Sequence, residues 1–298
     1  MKGKFSNVQE WQKAGSYFDY NGSSIFYGVL GKGDPLLLLH GYPFNSYDWN
    51  WVIDELSDKY QVVYLDFLGM GFSDKPEDHN YSFEEYTEII NTLAIKLNLK
   101  QVQILAHDLA VSVVQEMISH KEKLNFEIGS IAFMNGGMFT DVYKPRLIQR
   151  LLSQTPDFVG SWISKKMSRN SVESSLRKVF GPQTQPNQNL LDDYWYVLNY
   201  KNGKNIAYLI GRLVFEKVKY QSKWIQALKN TKIPFCYICG PYDPNSGTHM
   251  ALRFKKEYPD GWLYFLSSQI GHWPQIESPK EVLTTYFQFQ TEIQSKHK

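Results

Sequence analysis

The stretch from residue 102 to residue 114 places a carboxylate where a sharp turn could present it for chemistry. An apolar run rich in β-branched residues predicts a buried strand that ends near residue 107, and apolar residues at helical spacing follow. Between them stands the pattern small-x-Asp-x-small, formed by Ala106, Asp108 and Ala110. This pattern is typical of a nucleophile elbow, whose strained central residue requires small neighbours. Asp108 is therefore either a nucleophile or the cap of the following helix.

An acid and a histidine follow later in the chain, each after a predicted strand. Asp243 lies in the segment 240–244, and His272 lies in the segment 271–279. Either residue alone fits an ordinary turn or loop. Together with Asp108 they give the order nucleophile, acid, histidine, and the carboxyl ends of parallel strands meet at one edge of a sheet. The sequence thus predicts a catalytic triad at that edge.

The chemistry of this triad follows from the residue types. A carboxylate is ionised near neutral pH, so Asp108 needs no base to attack carbon and form an alkyl-enzyme ester. His272 would then deprotonate the water that hydrolyses the ester, while Asp243 orients and charge-balances His272. The main-chain N–H groups of Tyr42 and Leu109 are the expected oxyanion-hole donors.

The elements that must position these residues alternate between strands and helices, except in the middle of the chain. Helical stretches without a clear strand fill residues 138–230. We therefore predict an α/β fold, a doubly wound and mostly parallel eight-stranded sheet with an inserted helical cap. The core would comprise residues 1–137 and 231–298, and the cap residues 138–230. The predicted strands are 16–20, 24–30, 35–40, 60–66, 102–107, 128–134, 233–239 and 262–266, and helices are predicted near 46–57, from Ser82 onward, near 247–257 and near 278–293.

Composition narrows the function classes. The formal net charge of +2 argues against a dedicated nucleic-acid binder. No apolar run reaches the roughly 18 residues of a membrane span, and no secretory signal is visible. The two cysteines, Cys236 and Cys239, lie three apart on a predicted strand and so point to opposite faces, which predicts buried thiols instead of a metal or redox site. We expect a cytoplasmic protein without metal or cofactor.

The motifs resemble those of α/β-hydrolases that use aspartate as nucleophile, the epoxide hydrolases and haloalkane dehalogenases. The resemblance covers nearly the whole chain. It implies the α/β-hydrolase fold, a small apolar electrophilic substrate, water as the second reactant and the triad Asp108, Asp243 and His272. The motifs that carry it are His40-Gly41-Tyr42-Pro43, the segment 66–76, His107-Asp108 and Gly271-His272.

Among these relatives, the leaving group decides which donors the site needs. Haloalkane dehalogenases usually hold the halide with a tryptophan directly after the nucleophile and often an asparagine in the first motif. This chain has Leu109 and Tyr42 at those positions, so dehalogenation would need Trp162, Trp195 or Trp224 instead.

Epoxide hydrolases hold the developing alkoxide with two tyrosines of the cap. The candidates in this cap are Tyr143, Tyr194, Tyr196, Tyr200, Tyr208 and Tyr220. Tyr208 is our choice because it lies on a helical stretch late in the cap. Trp273, next to the histidine, is also expected to contact the substrate.

These arguments favour epoxide hydrolase-like activity, with haloalkane dehalogenase-like activity or β-lactone decarboxylation as alternatives. A hypothesis from a different class is a non-catalytic small-molecule binding protein on the same fold. The departures from the family pattern at Ala106, Leu109 and Ala110 motivate it. A serine esterase is excluded because residue 108 is aspartate.

Overall fold

The computed structural model of this protein describes residues 3–145, 150 and 155–296. Residues 1–2 and 297–298 of the predicted core, and residues 146–149 and 151–154 of the predicted cap, lie outside the described residues.

Eight strands form one sheet in the order β1-β2-β4-β3-β5-β6-β7-β8. Strand β2 pairs antiparallel with both β1 and β4, and the remaining neighbours pair parallel. The predicted mostly parallel eight-stranded sheet is therefore confirmed. The strands are β1 (Ser16–Tyr20), β2 (Ser23–Leu30), β3 (Asp34–Leu39), β4 (Tyr60–Leu65), β5 (Gln101–His107), β6 (Glu127–Met134), β7 (Phe235–Cys239) and β8 (Trp262–Phe265).

Helices flank the sheet and fill the described part of 138–230, where no strand occurs. The helices outside that segment are α1 (Val8–Ala14), α2 (Ile53–Ser57), α3 (Phe83–Lys96), α4 (Leu109–Ser119), α11 (Thr248–Glu257), α12 (Pro274–Glu277) and α13 (Pro279–Lys296). Those within it are α5 (Asp157–Lys166), α6 (Arg169–Arg177), α7 (Gln188–Asn199), α8 (Gly203–Gly211), α9 (Leu213–Glu216) and α10 (Gln221–Asn230).

Local signals explain most element boundaries. The predicted cap residue Ser82 accepts a hydrogen bond from the main chain of Glu85 and begins α3. The predicted helix 46–57 is instead a 3₁₀ turn, Ser46–Trp49, followed by the short α2, and the N–H of Ser46 donates to the buried Asp66 carboxylate. Helix α1, which the sequence argument missed, is capped by Asn7.

The sheet has an apolar layer on each face. Alternate side chains of β3 enter different layers, since Leu37 and Leu39 pack with Val63 while Leu36 and Leu38 pack with Val62. A parallel strand covered on both faces should be continuously apolar, as β3 is. Both layers continue into the inserted helices, so these helices pack onto the core.

Cys236 and Cys239 are buried and unpaired, as predicted. Across the described residues, none of the helices combines the length and the apolar character needed to cross a bilayer.

Candidate active site

Asp108 occupies a strained turn between β5 and α4. Its backbone has φ 52° and ψ −111°, a conformation that residues other than glycine rarely adopt. Its surroundings leave no room, because a Cβ added at Gly41 would lie 2.5 Å from the Cβ of Asp108. Ala106 and Ala110 are fully buried on either side. The turn thus has the geometry of a nucleophile elbow, with alanines as the small neighbours.

His272 lies between two carboxylates. Its Nε2 is 3.4 Å from Oδ2 of Asp108, and its Nδ1–H donates to Oδ2 of Asp243 at 2.8 Å. Side chains of Asp243 and His272 are almost completely buried, whereas that of Asp108 keeps 16% of its surface accessible. The structure therefore brings the three predicted triad residues together, with the carboxylate of Asp108 the most accessible of them.

Asp243 is held by donors that the sequence argument missed. Its Oδ2 accepts from Asn135 Nδ2 at 3.0 Å and from Ser246 Oγ at 2.7 Å, and its Oδ1 accepts from the main chain of Asn245 at 2.8 Å. Asn135 also bonds both the N–H and the carbonyl of Gly240. The signal for it was available, because Asn135 directly follows β6 at the same sheet edge as Asp108.

The charges of the site stabilise one another. Burial by itself would lower the pKa of His272, but the two neighbouring carboxylates raise it to about 10. Burial would raise the pKa values of Asp108 and Asp243, but the hydrogen bond and charge of His272 hold both below their usual range. These shifts favour an imidazolium between two carboxylates at neutral pH.

The main chain of Tyr42 donates to Oδ1 of Asp108 at 2.9 Å, so one predicted oxyanion-hole donor contacts the carboxylate of the predicted nucleophile. Leu109, the other predicted donor, is the first residue of α4. The Tyr42 hydroxyl donates to the carbonyl oxygen of Ala207 in α8 at 2.9 Å. Burial and the charge of Asp108 raise the Tyr42 pKa, so the phenol stays protonated.

Two further histidines support the site without facing a substrate. His107 donates from Nε2 to the main-chain oxygen of His272 at 2.6 Å, and its Nδ1 accepts from Gln275 at 3.3 Å. Burial and the neighbouring charge of His272 lower the pKa of His107 to about 4, so it is neutral. His40 accepts the N–H of Phe67, and burial lowers its pKa as well. Both histidines are positioning residues.

A cavity of about 250 Å³ opens on Asp108 and His272. Its walls are mostly apolar, and the volume lies below the range of roughly 300–1,000 Å³ typical of drug-sized ligand sites. The core contributes Tyr42, Pro43, Phe44, Asn245 and Trp273, and the inserted helices and their connections contribute Met167, Ser171, Val172, Ser175, Leu176, Val179, Leu198 and Ala207. The cavity thus suits a small, mainly apolar molecule.

The two predicted substrate contacts differ in placement. Trp273 lines the cavity, lies edge-on to the His272 ring and donates its Nε1–H to the buried Asp48 at 3.0 Å. Tyr208 is not among the described lining residues, and its ring lies against the guanidinium of Arg212. Helix α8 presents Ala207 to the cavity, and the next residue on a helix points about 100° away. The structure therefore does not bring Tyr208 to the site.

The other cap tyrosines also lie away from the described cavity lining. Tyr194 donates to Asp48 at 2.6 Å, Tyr220 stacks on Trp224, and Tyr143 lies under the ammonium of Lys217. Tyr196 is exposed, and the Tyr200 hydroxyl accepts from Gln12. The polar groups that line the described cavity therefore come from residues other than the cap tyrosines.

Comparison with known proteins identifies the family to which this fold belongs. The family model for the alpha/beta hydrolase fold matches residues 34–279. The chain belongs to the α/β hydrolase family. The mesoderm-specific transcript protein of Mus musculus is 33% identical to this hydrolase over 294 residues, 95% of this chain and 87% of that protein. The putative hydrolase LipZ of Mycobacterium tuberculosis is 29% identical over 278 residues, 92% of this chain and 94% of its own.

A solved structure agrees with the fold of the hydrolase. Haloalkane dehalogenase DbeA from Bradyrhizobium elkani superposes with a TM-score of 0.79 at 18% identity, covering 95% of this chain and 99% of that chain. At this identity the likeness concerns the fold. Within the described part of the hydrolase, no cluster of three or more histidine, cysteine or acidic side chains could hold a metal ion.

Proposed function

We propose that this hydrolase cleaves a small apolar alkyl electrophile through a covalent ester on Asp108, with an epoxide as the favoured substrate class. The observation that carries the proposal is the His272 imidazole, which lies 3.4 Å from Asp108 and 2.8 Å from Asp243 beside an apolar cavity. The elbow alanines fit the turn, so they no longer favour the non-catalytic binding hypothesis. Because both cysteines are buried free thiols, the reducing cytoplasm stays our proposed location.

In the first step, Oδ2 of Asp108 forms a bond to the electrophilic carbon. The bond from that carbon to the leaving atom breaks, and its electron pair goes to the leaving atom. With an epoxide the product is an alkoxide, which takes a proton from solvent. The step converts a carboxylate into a neutral ester.

The neutral ester changes the state of His272. The charge of Asp108 is one of the causes that raise the pKa of His272 to about 10, so losing that charge lowers this pKa. His272 then releases a proton to solvent and becomes a neutral base. Alkylation thus produces the general base only after the ester exists.

In the second step, His272 removes a proton from water, and the oxygen attacks the carboxyl carbon of Asp108. The oxyanion forms beside the N–H of Tyr42, which already donates to Oδ1, and we assign the N–H of Leu109 as the second donor. Collapse expels the alcohol, which takes the proton from His272. The acid of Asp108 then returns its proton to His272 and restores the ion pair.

Dehalogenation has the weakest support among the alternatives. Trp273 directs its N–H to Asp48, Trp224 directs its N–H to Glu116, and Trp162 is 62% exposed. Trp195 is absent from the described cavity lining and lies against Lys204. In the described part of the chain, a halide would therefore lack a tryptophan N–H of the kind that its usual cradle supplies. β-Lactone decarboxylation uses the same Asp108 attack and remains an alternative.

The test is to trap the ester. His272→Gln removes the base and leaves Asp108 in place, so incubation with 1,2-epoxyhexane should add one epoxide mass, mapped to Asp108 by peptide mass spectrometry. Asp108→Asn is the matched control and should stay unmodified. Turnover of wild-type enzyme in ¹⁸O-labelled water should label the Asp108 carboxylate, because the hydrolytic oxygen ends there. Absence of both the adduct and the label with epoxides and haloalkanes would contradict the proposal.

A further inference from the structure

The cavity contains one polar side chain whose amide has no hydrogen-bond partner among the described residues. Asn245 lines the cavity beside Asp108 and His272 and is only 4% exposed. Its Oδ1 is enclosed without a partner, and the hydrogen bonds of Asn245 within the described chain are all made by its main chain. Buried polar groups are almost always paired, and an exception in a native structure needs an explanation.

The other polar side chains that line the described cavity are paired. The Tyr42 hydroxyl bonds to Ala207, and the Ser171 hydroxyl bonds to the main chain of Ser168. Ser175 also has an interaction partner. Asn245 is therefore the polar side chain of the described lining that is left for a molecule in the cavity.

The main chain of Asn245 is held in place by three hydrogen bonds. Its N–H donates to Asp243 at 2.8 Å, and its carbonyl accepts from the His249 ring at 2.9 Å and from the main chain of Lys144 at 3.3 Å. These contacts attach Asn245 to the loop that carries the acid of the triad. The fixed main chain keeps the side chain of Asn245 at the cavity, which lowers the entropic cost of its contact with a substrate.

We infer that Asn245 is a specificity-determining residue, whose side-chain N–H binds an oxygen of the substrate next to the carbon that Asp108 attacks. This inference rests on the proposed function and names the ligand group that the site selects. A neutral substrate oxygen, as in an epoxide, fits because the carboxylate of Asp108 repels anionic ligands. The amide keeps its proton throughout and acts by hydrogen bonding to the oxygen as its negative charge develops.

Oxygen is favoured over halogen by the strength of the interaction. An alkoxide is a strongly basic leaving group and gains much from a donor, whereas bromide leaves readily and is a weak acceptor. Asn245 supplies a single amide donor, and the described tryptophan N–H groups of the proposed halide cradle lie elsewhere or are already bonded. The contribution of Asn245 should therefore differ most between an epoxide and an alkyl bromide with the same carbon chain.

The experiment compares 1,2-epoxyhexane with 1-bromohexane in the His272→Gln background, with and without Asn245→Leu. The rate of mass gain on Asp108 should fall on the order of tenfold or more with the epoxide, since a hydrogen bond to a developing charge is lost, and stay within about twofold with the bromide. Equal slowing of both reactions, or no slowing of either, would overturn the inference. Asn245→Ala repeats the comparison in case leucine does not fit.

Binding without chemistry separates this inference from the proposed function. Fluorescence of Trp273 in the cavity wall can report the binding of hexane-1,2-diol and of 1-bromohexane to Asp108→Asn. Adding Asn245→Leu should weaken diol binding about tenfold or more and leave bromohexane binding within about twofold. Unchanged diol binding would contradict the role of Asn245 even if the ester forms. A missing ester with this binding pattern intact would contradict only the proposed function.

Stability supplies a readout that a purely structural role would not give. Asn245→Leu replaces an unpaired buried amide by an apolar group of similar size, so the melting temperature should stay equal or rise. An asparagine retained for packing would instead lower it on replacement. A large drop in melting temperature together with equal slowing of both probes would assign Asn245 to the fold.

Discussion

His107 and His272 are joined by a hydrogen bond of 2.6 Å from the ring of the first to the main-chain oxygen of the second. The bond joins the end of β5, which directly precedes the proposed nucleophile Asp108, to the loop that carries the proposed base. Because His107 is neutral and buried, it positions His272 without competing for its proton.

The first prediction concerns this tie. His107→Phe should slow hydrolysis of the ester on the order of tenfold to a hundredfold, because a small displacement of His272 misplaces the base. Alkylation, which does not need the base, should change much less, so ester should accumulate during turnover. His107→Gln, which keeps a donor, should recover part of the rate. Rapid-quench mass spectrometry measures both steps, and an equal loss in both steps would argue against a positioning role.

The second prediction concerns the space around the elbow. Gly41→Ala would place a Cβ 2.5 Å from Asp108, so the turn must shift, and both turnover and stability should fall sharply. Gly129→Ala in β6 is the matched control, because its nearest contact would be an ordinary 3.5 Å and its φ is not positive. Thermal unfolding and ester trapping should separate the two variants. Comparable behaviour of both would mean that the elbow is not tightly packed.

The third prediction concerns Asn135. Asn135→Gly suits the backbone φ of 37° but removes the bonds to Asp243 and Gly240, so stability should fall by about 1–3 kcal/mol. Ser246→Ala removes a single bond to Asp243 and should cost less. Urea unfolding gives both values, and kcat should fall in the same order. A larger loss in Ser246→Ala would assign the orientation of Asp243 to the serine.

The fourth prediction is a pH dependence. The pKa of His272 is about 10 in the folded protein and 6.5 as its ordinary value, so protonation of His272 stabilises the fold. This stabilisation is fully present below pH 6.5 and is lost as the pH rises through about 10. The free energy of unfolding of wild type minus that of His272→Gln should therefore decline between these pH values. Parallel curves for the two proteins would contradict the charged resting state.

The fifth prediction concerns the buried carboxyl of Asp48, which accepts from Tyr194 in α7 and from Trp273 beside the base. Burial raises the pKa of Asp48 to about 7, so its ionised form is the costly one. Tyr194→Phe should therefore destabilise the protein more at pH 8 than at pH 5. Tyr196→Phe, at an exposed site on the same helix, should have little effect at either pH. Chemical unfolding at the two pH values measures the difference.

Much of the architecture could be predicted because the signals are local. Continuous apolar runs such as β3 and turn signals such as Asn21-Gly22 depend on neighbours in the chain, and both residues of that turn have the expected positive φ. Asp108, Asp243 and His272 follow β5, β7 and β8, and this order implied their convergence, since parallel strands end at one edge. The division of 46–57 was missed, and so was α1, although its cap Asn7 is a local signal.

The orientation of the cap side chains could not be predicted from the sequence. Nothing local distinguishes Ala207, which lines the cavity, from Tyr208, which packs on Arg212, because the choice depends on how α8 rotates against the core. Nor could the sequence show that the side chain of Asn245 is unpaired. It could not show that Asn135 donates to Asp243 either, since that bond joins residues 108 positions apart. The sequence by itself determined the fold, the elbow and the order of the predicted triad, because the signals for strand ends and turns depend on consecutive residues. Only the tertiary structure decided which side chains face the cavity, because that depends on packing between elements distant in sequence.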